Sequence, residues 1–210
     1  YAEKSGAEPK PCVVNLSLGS NLGPHDSTSL MNRFLSECGK DAIVCVAAGN
    51  EADYPVALTK TFADGDTIVQ TFLRPMQEGA FTTSNSTYYN LRNGAVYVYS
   101  NDSTMFGLQA IIYNARRHRI VARFPLADNT DGQFVSWSTG GDYAIDGAQT
   151  NAMLSKMFQG YIALASAKDT ETGRYYAIAN FLTTDDQQNN ADGDYRIGLV
   201  VSGHGGQRID

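Results

Sequence analysis

The sequence predicts an α/β strand–helix–strand piece of a parallel sheet, joined to an all-β antiparallel sandwich. Two continuous apolar runs, "CVVNLSLG" and "AIVCVAA", lie on either side of a segment with helical spacing. After residue 54 the helical period disappears, and short segments rich in β-branched and aromatic residues alternate with turn dipeptides. The predicted domains are therefore residues 1–54 and residues 55–210.

The first part has the order strand, helix, strand. The run Cys12–Gly19 is apolar almost throughout, which is typical of a strand covered on both faces. Asp26 or Ser27 is placed to cap a helix, and Gly39 is placed to end it. The helix would carry one apolar face, formed by Leu30, Met31, Phe34, Leu35 and Cys38. With Ala42–Ala48 as the second strand, this is one right-handed crossover, whose ligands bind beyond the carboxyl ends of the strands.

The second part contains many short strands separated by turns such as "ADGD", "RNG" and "ETG". Such a pattern is typical of an antiparallel sandwich. We expect one short helix around Ala148–Phe158. The predicted strands are Thr67–Leu73, Ala95–Ser100, Gly107–Tyr113, Ile120–Phe124, Gly160–Ala167, Tyr175–Phe181 and Arg196–Val201.

Charge and hydropathy exclude two classes of partner. The net charge is −6 and the pI is about 5.0, which argues against a nucleic-acid partner. The basic run Arg116–Arg119 lacks interleaved aromatic residues and is expected to be a solvated turn or strand end. No apolar run approaches the roughly 20 residues that span a bilayer, so no membrane partner is predicted. The chain begins with Tyr1 and lacks a signal-like start, so we expect a piece of a longer protein.

Cofactors are not predicted from the titratable residues. The three cysteines have neither a disulfide framework nor histidines at metal-ligand spacing, and we expect them to be structural: Cys12, Cys38 and Cys45. Three acidic turns leave calcium open as an alternative, but none has EF-hand spacing, and ordinary hairpin turns are favoured. These turns are Ala63–Asp66, Asp128–Gly132 and Asn189–Asp194.

Two motifs in the first part carry a resemblance to a known family. "VVNLSLG" ends in Asn15, Ser17 and Gly19, and "VCVAAGNE" contains Ala47, Ala48, Gly49 and Asn50 one helix later. The order and spacing resemble the middle of a subtilisin-like serine protease, or subtilase. The resemblance covers roughly the first 54 residues and implies a parallel subtilisin-like sheet.

The resemblance implies a role for each matched residue. Asn50 would be the oxyanion-hole donor, because its amide donates a hydrogen bond without titrating. Ser17, Leu18 and Gly19 would form a backbone edge that pairs with the substrate peptide. Ala47, Ala48 and Gly49 would line the pocket for the residue that precedes the scissile bond. If Asn50 stood alone, a simple turn residue would be the better interpretation.

The catalytic triad is missing from the sequence. "STSLM" resembles the nucleophile motif but lacks its leading glycine, so we interpret Ser29 as part of the helix start and not as catalytic. "SGHGG" around His204 is expected to be a glycine-rich turn between strands, and His25 a surface histidine in a loop. The resemblance therefore implies a fragment of a serine endopeptidase that is inactive alone, whose parent hydrolyses peptide bonds through an acyl-enzyme.

The β-rich part begins just after Asn50, where some subtilases carry an insertion. The arrangement is similar to that of bacterial spore-germination subtilases, whose protease domain is interrupted there by a jelly-roll. The resemblance implies a peptide or protein substrate, contacts with a prodomain and with the rest of the protease domain, and a secreted, cell-surface or spore-associated parent. The alternative is a non-catalytic binding module, either a pseudoprotease or a sandwich that binds carbohydrate or protein through tyrosines such as Tyr97, Tyr99 and Tyr176. Tyrosines that alternate along strands are more often half-buried packing residues.

Overall fold

The computed structural model describes residues 11–50, 56–73, 76–77, 81–82, 88–89, 91–126, 134–138, 159–184 and 195–210. These residues form one helix and a series of short strands. In chain order they are β1 (Val13–Leu16), α1 (Leu30–Cys38), β2 (Ile43–Val46), β3 (Lys60–Thr61), β4 (Ile68–Phe72), β5 (Met76–Gln77), β6 (Phe81–Thr82), β7 (Tyr88–Tyr89), β8 (Leu91–Tyr99), β9 (Gly107–Asn114), β10 (Arg119–Pro125), β11 (Phe134–Ser138), β12 (Gln159–Lys168), β13 (Tyr175–Thr184), β14 (Tyr195–Ser202) and β15 (Arg208–Ile209).

The predicted fold class is wrong. The described sheets are mostly antiparallel, and their one parallel pairing joins β1 to β2, so the parallel subtilisin-like sheet is not seen. Each strand of this pair has four residues, and Val13 and Ile43 remain 63% and 65% exposed. A parallel sheet is normally covered on both faces, and continuous apolarity in the sequence did not reveal that this cover is missing here.

The chain divides into two compact units. The first comprises Tyr1–Thr59 together with Asp210, and the second comprises Lys60–Ile209. In the first unit, α1 is capped by Ser29, whose hydroxyl accepts a hydrogen bond from the Asn32 amide at 3.2 Å. Neither predicted cap residue, Asp26 nor Ser27, has this position. With nine residues, α1 is the sole helix of the described segments, and it is too short and too polar to cross a membrane.

The second unit is built from two larger antiparallel sheets. One has the strand order β10-β9-β14-β4 and the other β11-β12-β13-β8-β5. Side chains from both sheets share one core, because alternate residues along each strand face the same side. The most deeply buried include Leu108, Ile112, Phe124, Ile162, Leu164, Ala177, Ala179 and Leu199.

The seven strand predictions in this unit are confirmed, since each overlaps an observed strand. The boundaries differ most for β8, which begins four residues before its predicted start, and for β13, which ends three residues after its predicted end. The strands β12 and β13 have ten residues each and pair along their whole length. The helix predicted around Ala148–Phe158 lies outside the described residues.

Candidate functional site

The carboxyl ends of β1 and β2 lie side by side. Asn15 is opposite Cys45 and Leu16 is opposite Val46 in a parallel register. The pairing continues one residue past the end of β2, because the Ala47 amide donates to the Leu16 carbonyl at 3.0 Å. The segments that follow the two strands therefore begin at the same end of the sheet. The strands themselves are about 4.8 Å apart.

The segment after β1 contains the predicted substrate edge. Ser17, Leu18 and Gly19 are all exposed, and Leu18 is 76% exposed. The Ser17 hydroxyl accepts a hydrogen bond from the Asn15 side-chain amide at 3.1 Å, which holds the start of the segment against the strand end. A Cβ added at Gly19 would meet nothing within 4 Å, so space for an approaching side chain is open there.

The segment after β2 contains the predicted oxyanion donor. Ala47, Ala48, Gly49 and Asn50 are exposed. Gly49 has a φ of +89°, a conformation that side chains other than glycine rarely adopt. Gly49 thus allows the chain to turn sharply between the end of β2 and Asn50. This conformation explains why a glycine precedes the asparagine. Cys45, expected to be structural, is exposed at the end of β2.

His25 lies in the same unit and has a partner that the sequence did not indicate. Its ring Nδ1 is 3.0 Å from Oδ2 of Asp210, and its backbone amide donates to the same oxygen at 2.6 Å. Thr59 donates to the other carboxylate oxygen at 2.5 Å. Burial of the Asp210 carboxyl raises its pKa, but the hydrogen bonds from Thr59 and His25 outweigh this effect and leave the pKa below its ordinary value.

The contact with Asp210 determines how the His25 ring is oriented. A carboxylate accepts hydrogen bonds, so Nδ1 of His25 is the donor in this contact and Nε2 takes no part in it. The His25 side chain is 48% exposed and that of Asp210 is 7% exposed, so the ring is accessible while its partner is not. A histidine oriented in this way leaves Nε2 as the ring nitrogen that could contact a ligand.

His204 lies in a turn between β14 and β15, as the sequence predicted. Its Nε2 is 3.3 Å from Oδ2 of Asp102, and its Nδ1 is 2.9 Å from the Gly205 carbonyl. Beside it, the buried Gln207 donates to Ser100 Oγ at 2.9 Å. Ser100 donates in turn to Asp102 at 3.2 Å, and not to the histidine.

A serine–histidine–aspartate triad is not assembled within the described part of the chain. No serine hydroxyl there is hydrogen-bonded to a histidine ring, either at His25 or at His204. Ser29 is the cap of α1, so its predicted position at the helix start is confirmed. The nucleophile and base of a serine peptidase are therefore not brought together by these residues.

The charged turns have structural explanations where they are described. Arg116–Arg119 spans the β9–β10 turn and the start of β10, and these residues are exposed, as predicted. Ala63 and Asp66 close a tight turn through a 3.0 Å backbone hydrogen bond, with Lys60 paired to the Asp66 carboxylate. Over the described ranges, no group of three or more His, Cys, Asp or Glu side chains could hold a metal ion. The turns Asp128–Gly132 and Asn189–Asp194 lie outside those ranges.

Comparison of the chain with protein-family models, with curated proteins and with solved structures finds no match. The resemblance to subtilases therefore depends on the two sequence motifs and on what the strand ends can do chemically.

Proposed function

We propose that this chain is part of a subtilisin-like serine endopeptidase, in which Asn50 donates to the oxyanion and Ser17–Gly19 pairs with the substrate peptide. The observation that supports the proposal is the hydrogen bond from Ala47 to Leu16, which continues the parallel pairing one residue past the end of β2. An oxyanion donor must lie at the same end of the sheet as the substrate backbone. The parallel pairing supports this arrangement, because β1 and β2, which precede the two segments, end side by side at the same end of the sheet.

Residue types at this edge fit the chemistry. The Asn50 side-chain amide can stabilise the negative charge that develops on the carbonyl oxygen during acyl transfer. The exposed backbone of Ser17–Gly19 can pair with an extended peptide by strand addition, with Gly19 leaving room for a substrate side chain. The small residues Ala47–Gly49 would form the walls of a slot for one substrate side chain.

The proposal is tested in the full-length parent protein with Asn50→Ala. We expect kcat to fall by a factor on the order of 10²–10³, the range known for the corresponding asparagine of subtilisin, with KM nearly unchanged. Asn21→Ala is the matched control, since Asn21 is an exposed asparagine of the same unit without an assigned role. Equal losses in kcat and in substrate binding, or no loss at all, would contradict the oxyanion role. The present chain alone should not hydrolyse peptides.

A non-catalytic binding module is the second candidate, and a row of tyrosines favours it. Tyr97 and Tyr99 have ring centroids 6.4 Å apart, and Tyr176 lies 6.1 Å from Tyr99 on the neighbouring strand. The three residues alternate with core residues such as Val98 and Ala177, so they lie on the sheet face opposite the core. Binding to a glycan array that is lost in Tyr97→Ala and Tyr176→Ala would favour this candidate, and absence of binding would count against it.

A further inference from the structure

The two edges of the four-stranded sheet differ in how they are protected. The β10 edge carries Arg119, Arg123 and Pro125, and its pairing with β9 has a register shift between Ile120 and Ala122. Charges, proline and bulges are the usual means by which proteins prevent an edge strand from pairing with another chain. The opposite edge is β4, with the sequence Ile-Val-Gln-Thr-Phe, which has none of these features.

Only alternate residues of β4 use their backbone hydrogen-bonding groups within the sheet. Leu73 donates to Ile197 at 2.9 Å and Gly203 donates to Thr67 at 2.9 Å, which identifies the alternating residues that bond to β14. Because antiparallel pairs alternate, the amides and carbonyls of the intervening residues point away from β14. These residues are Ile68, Gln70 and Phe72. They face solvent, and their amides have no acceptor within the described chain.

The side chains on this edge are uncharged and partly apolar. Ile68 is 59% exposed and Phe72 is 42% exposed, with the exposed Gln70 between them. Phe72 also packs against Tyr113 of β9, because the centroids of the two rings are 5.0 Å apart. The described strands of the whole sheet contain no aspartate or glutamate, although the chain has a net charge of −6.

We infer that β4 is a self-association edge, on which the β4 strand of a second copy of this chain pairs in antiparallel fashion about a two-fold axis at Gln70. In this register Gln70 lies opposite Gln70 of the second copy, and Ile68 lies opposite Phe72 in both directions. The three outward-facing residues of each strand then form hydrogen-bonded pairs, which gives six new backbone bonds.

The strand is complementary to itself, and this is the reason for choosing a second copy as the occupant. Aromatic–β-branched pairs across strands are favourable, and Ile68 opposite Phe72 forms two of them. An isologous interface requires one patch to match itself, which an uncharged strand with a central glutamine does without like-charge repulsion. Five residues per strand bury less than a standard interface, so we expect reversible association with a Kd on the order of tens of micromolar.

The test uses the whole chain in sedimentation velocity over a wide concentration range. We expect the mass to rise from the 22.7 kDa monomer towards a dimer, and Gln70→Lys to weaken association at least tenfold by placing two ammonium groups opposite each other at the two-fold axis. Asn180→Lys is the matched control, because it adds the same charge at an exposed strand position away from β4. Wild-type protein that stays monomeric, or a dimer that Gln70→Lys leaves intact, would overturn the inference.

Amide hydrogen exchange on the unmodified chain provides an independent readout. The amides of Ile68, Gln70 and Phe72 should gain protection as the concentration rises, while those of Val69 and Thr71 are already bonded within the sheet. Concentration-dependent protection elsewhere, without protection at these three amides, would show that another surface associates and would refute the assignment. This measurement does not depend on a variant that folds.

Discussion

Gln207 offers the most direct test of how the second unit is held together. Its side chain is fully buried, and its Nε2 donates to Ser100 Oγ at 2.9 Å and to the Thr104 carbonyl at 2.8 Å. Its Oε1 accepts from the His204 amide at 3.3 Å. These bonds join the loop after β8 to the turn between β14 and β15, two segments about one hundred residues apart in sequence.

Replacing Gln207 with leucine keeps the size of the side chain and removes these bonds. Two short neutral hydrogen bonds contribute about 1 kcal/mol each, and the poorer bond to His204 contributes less. Ser100 can still donate to Asp102, so only part of its bonding is lost. We therefore expect the free energy of unfolding to fall by about 2–3 kcal/mol. For a unit of this size that corresponds to a fall in Tm of about 5–10 °C.

Urea denaturation followed by far-ultraviolet circular dichroism measures this loss, since most of the described strands belong to the second unit. Gln109→Leu is the control: Gln109 is only partly buried, accepts a bond from the exposed Arg123, and should lose no more than about 0.5 kcal/mol. In a double-mutant cycle, Ser100→Ala and Gln207→Leu should couple by about 1 kcal/mol. If Gln207→Leu is no more destabilising than Gln109→Leu, the buried network does not stabilise the fold as argued.

Two further predictions concern the hydrogen-bonded carboxylate of Asp210 and the lack of space for a side chain at Gly198. Asp210→Asn should remove a stability contribution that is present above the ordinary carboxyl pKa of about 3.9 and that is lost as the pH falls through the lowered pKa of Asp210. The difference in unfolding free energy between wild type and variant should thus shrink as the pH falls below about 4; a difference that keeps growing below that pH would contradict it. Gly198→Ala should destabilise by about 1–3 kcal/mol, because the new Cβ would lie 2.6 Å from the Thr71 carbonyl oxygen. Gly19→Ala, where the space is open, is the control, and equal Tm values for the two variants would refute the clash.

The strands of the second unit were predictable because their signals are local. The alternation of side chains in segments such as Gly107–Tyr113 reflects one buried and one outer face, and turn dipeptides mark their ends. The contact of His25 with Asp210 was not predictable, since 185 residues separate the two and neither has a local signal for the other. The sequence indicated the two motifs of the candidate site. The structure adds that the strands preceding the two loops pair in parallel and end side by side.

The helix cap shows how several good candidates can compete. Four consecutive residues, Asp26 to Ser29, are all capable of capping. Asp26 instead uses its carboxylate on the Thr28 amide at 3.0 Å, and Ser27 has a φ of +65° that turns the chain before the helix. Ser29 is then the first residue whose hydroxyl can reach an unpaired amide of the helix, so the cap moves two or three positions along the chain.

The correction of the fold class leaves the proposed role of Asn50 open to a separate test. A parallel sheet of several strands would bury more of β1 and β2 and make them more rigid. The direction of an oxyanion donor, however, depends on the end of the strand before it and on the turn that follows this strand. In this chain β2 ends at Val46, and the positive φ of Gly49 sets the turn before Asn50. The segment proposed to bind substrate follows β1, whose last residue Leu16 accepts a hydrogen bond from the Ala47 amide. The proposed role of Asn50 therefore requires only that this one pair of parallel strands places the two segments at the same end, and loss of turnover in Asn50→Ala would test that requirement and not the size of the sheet.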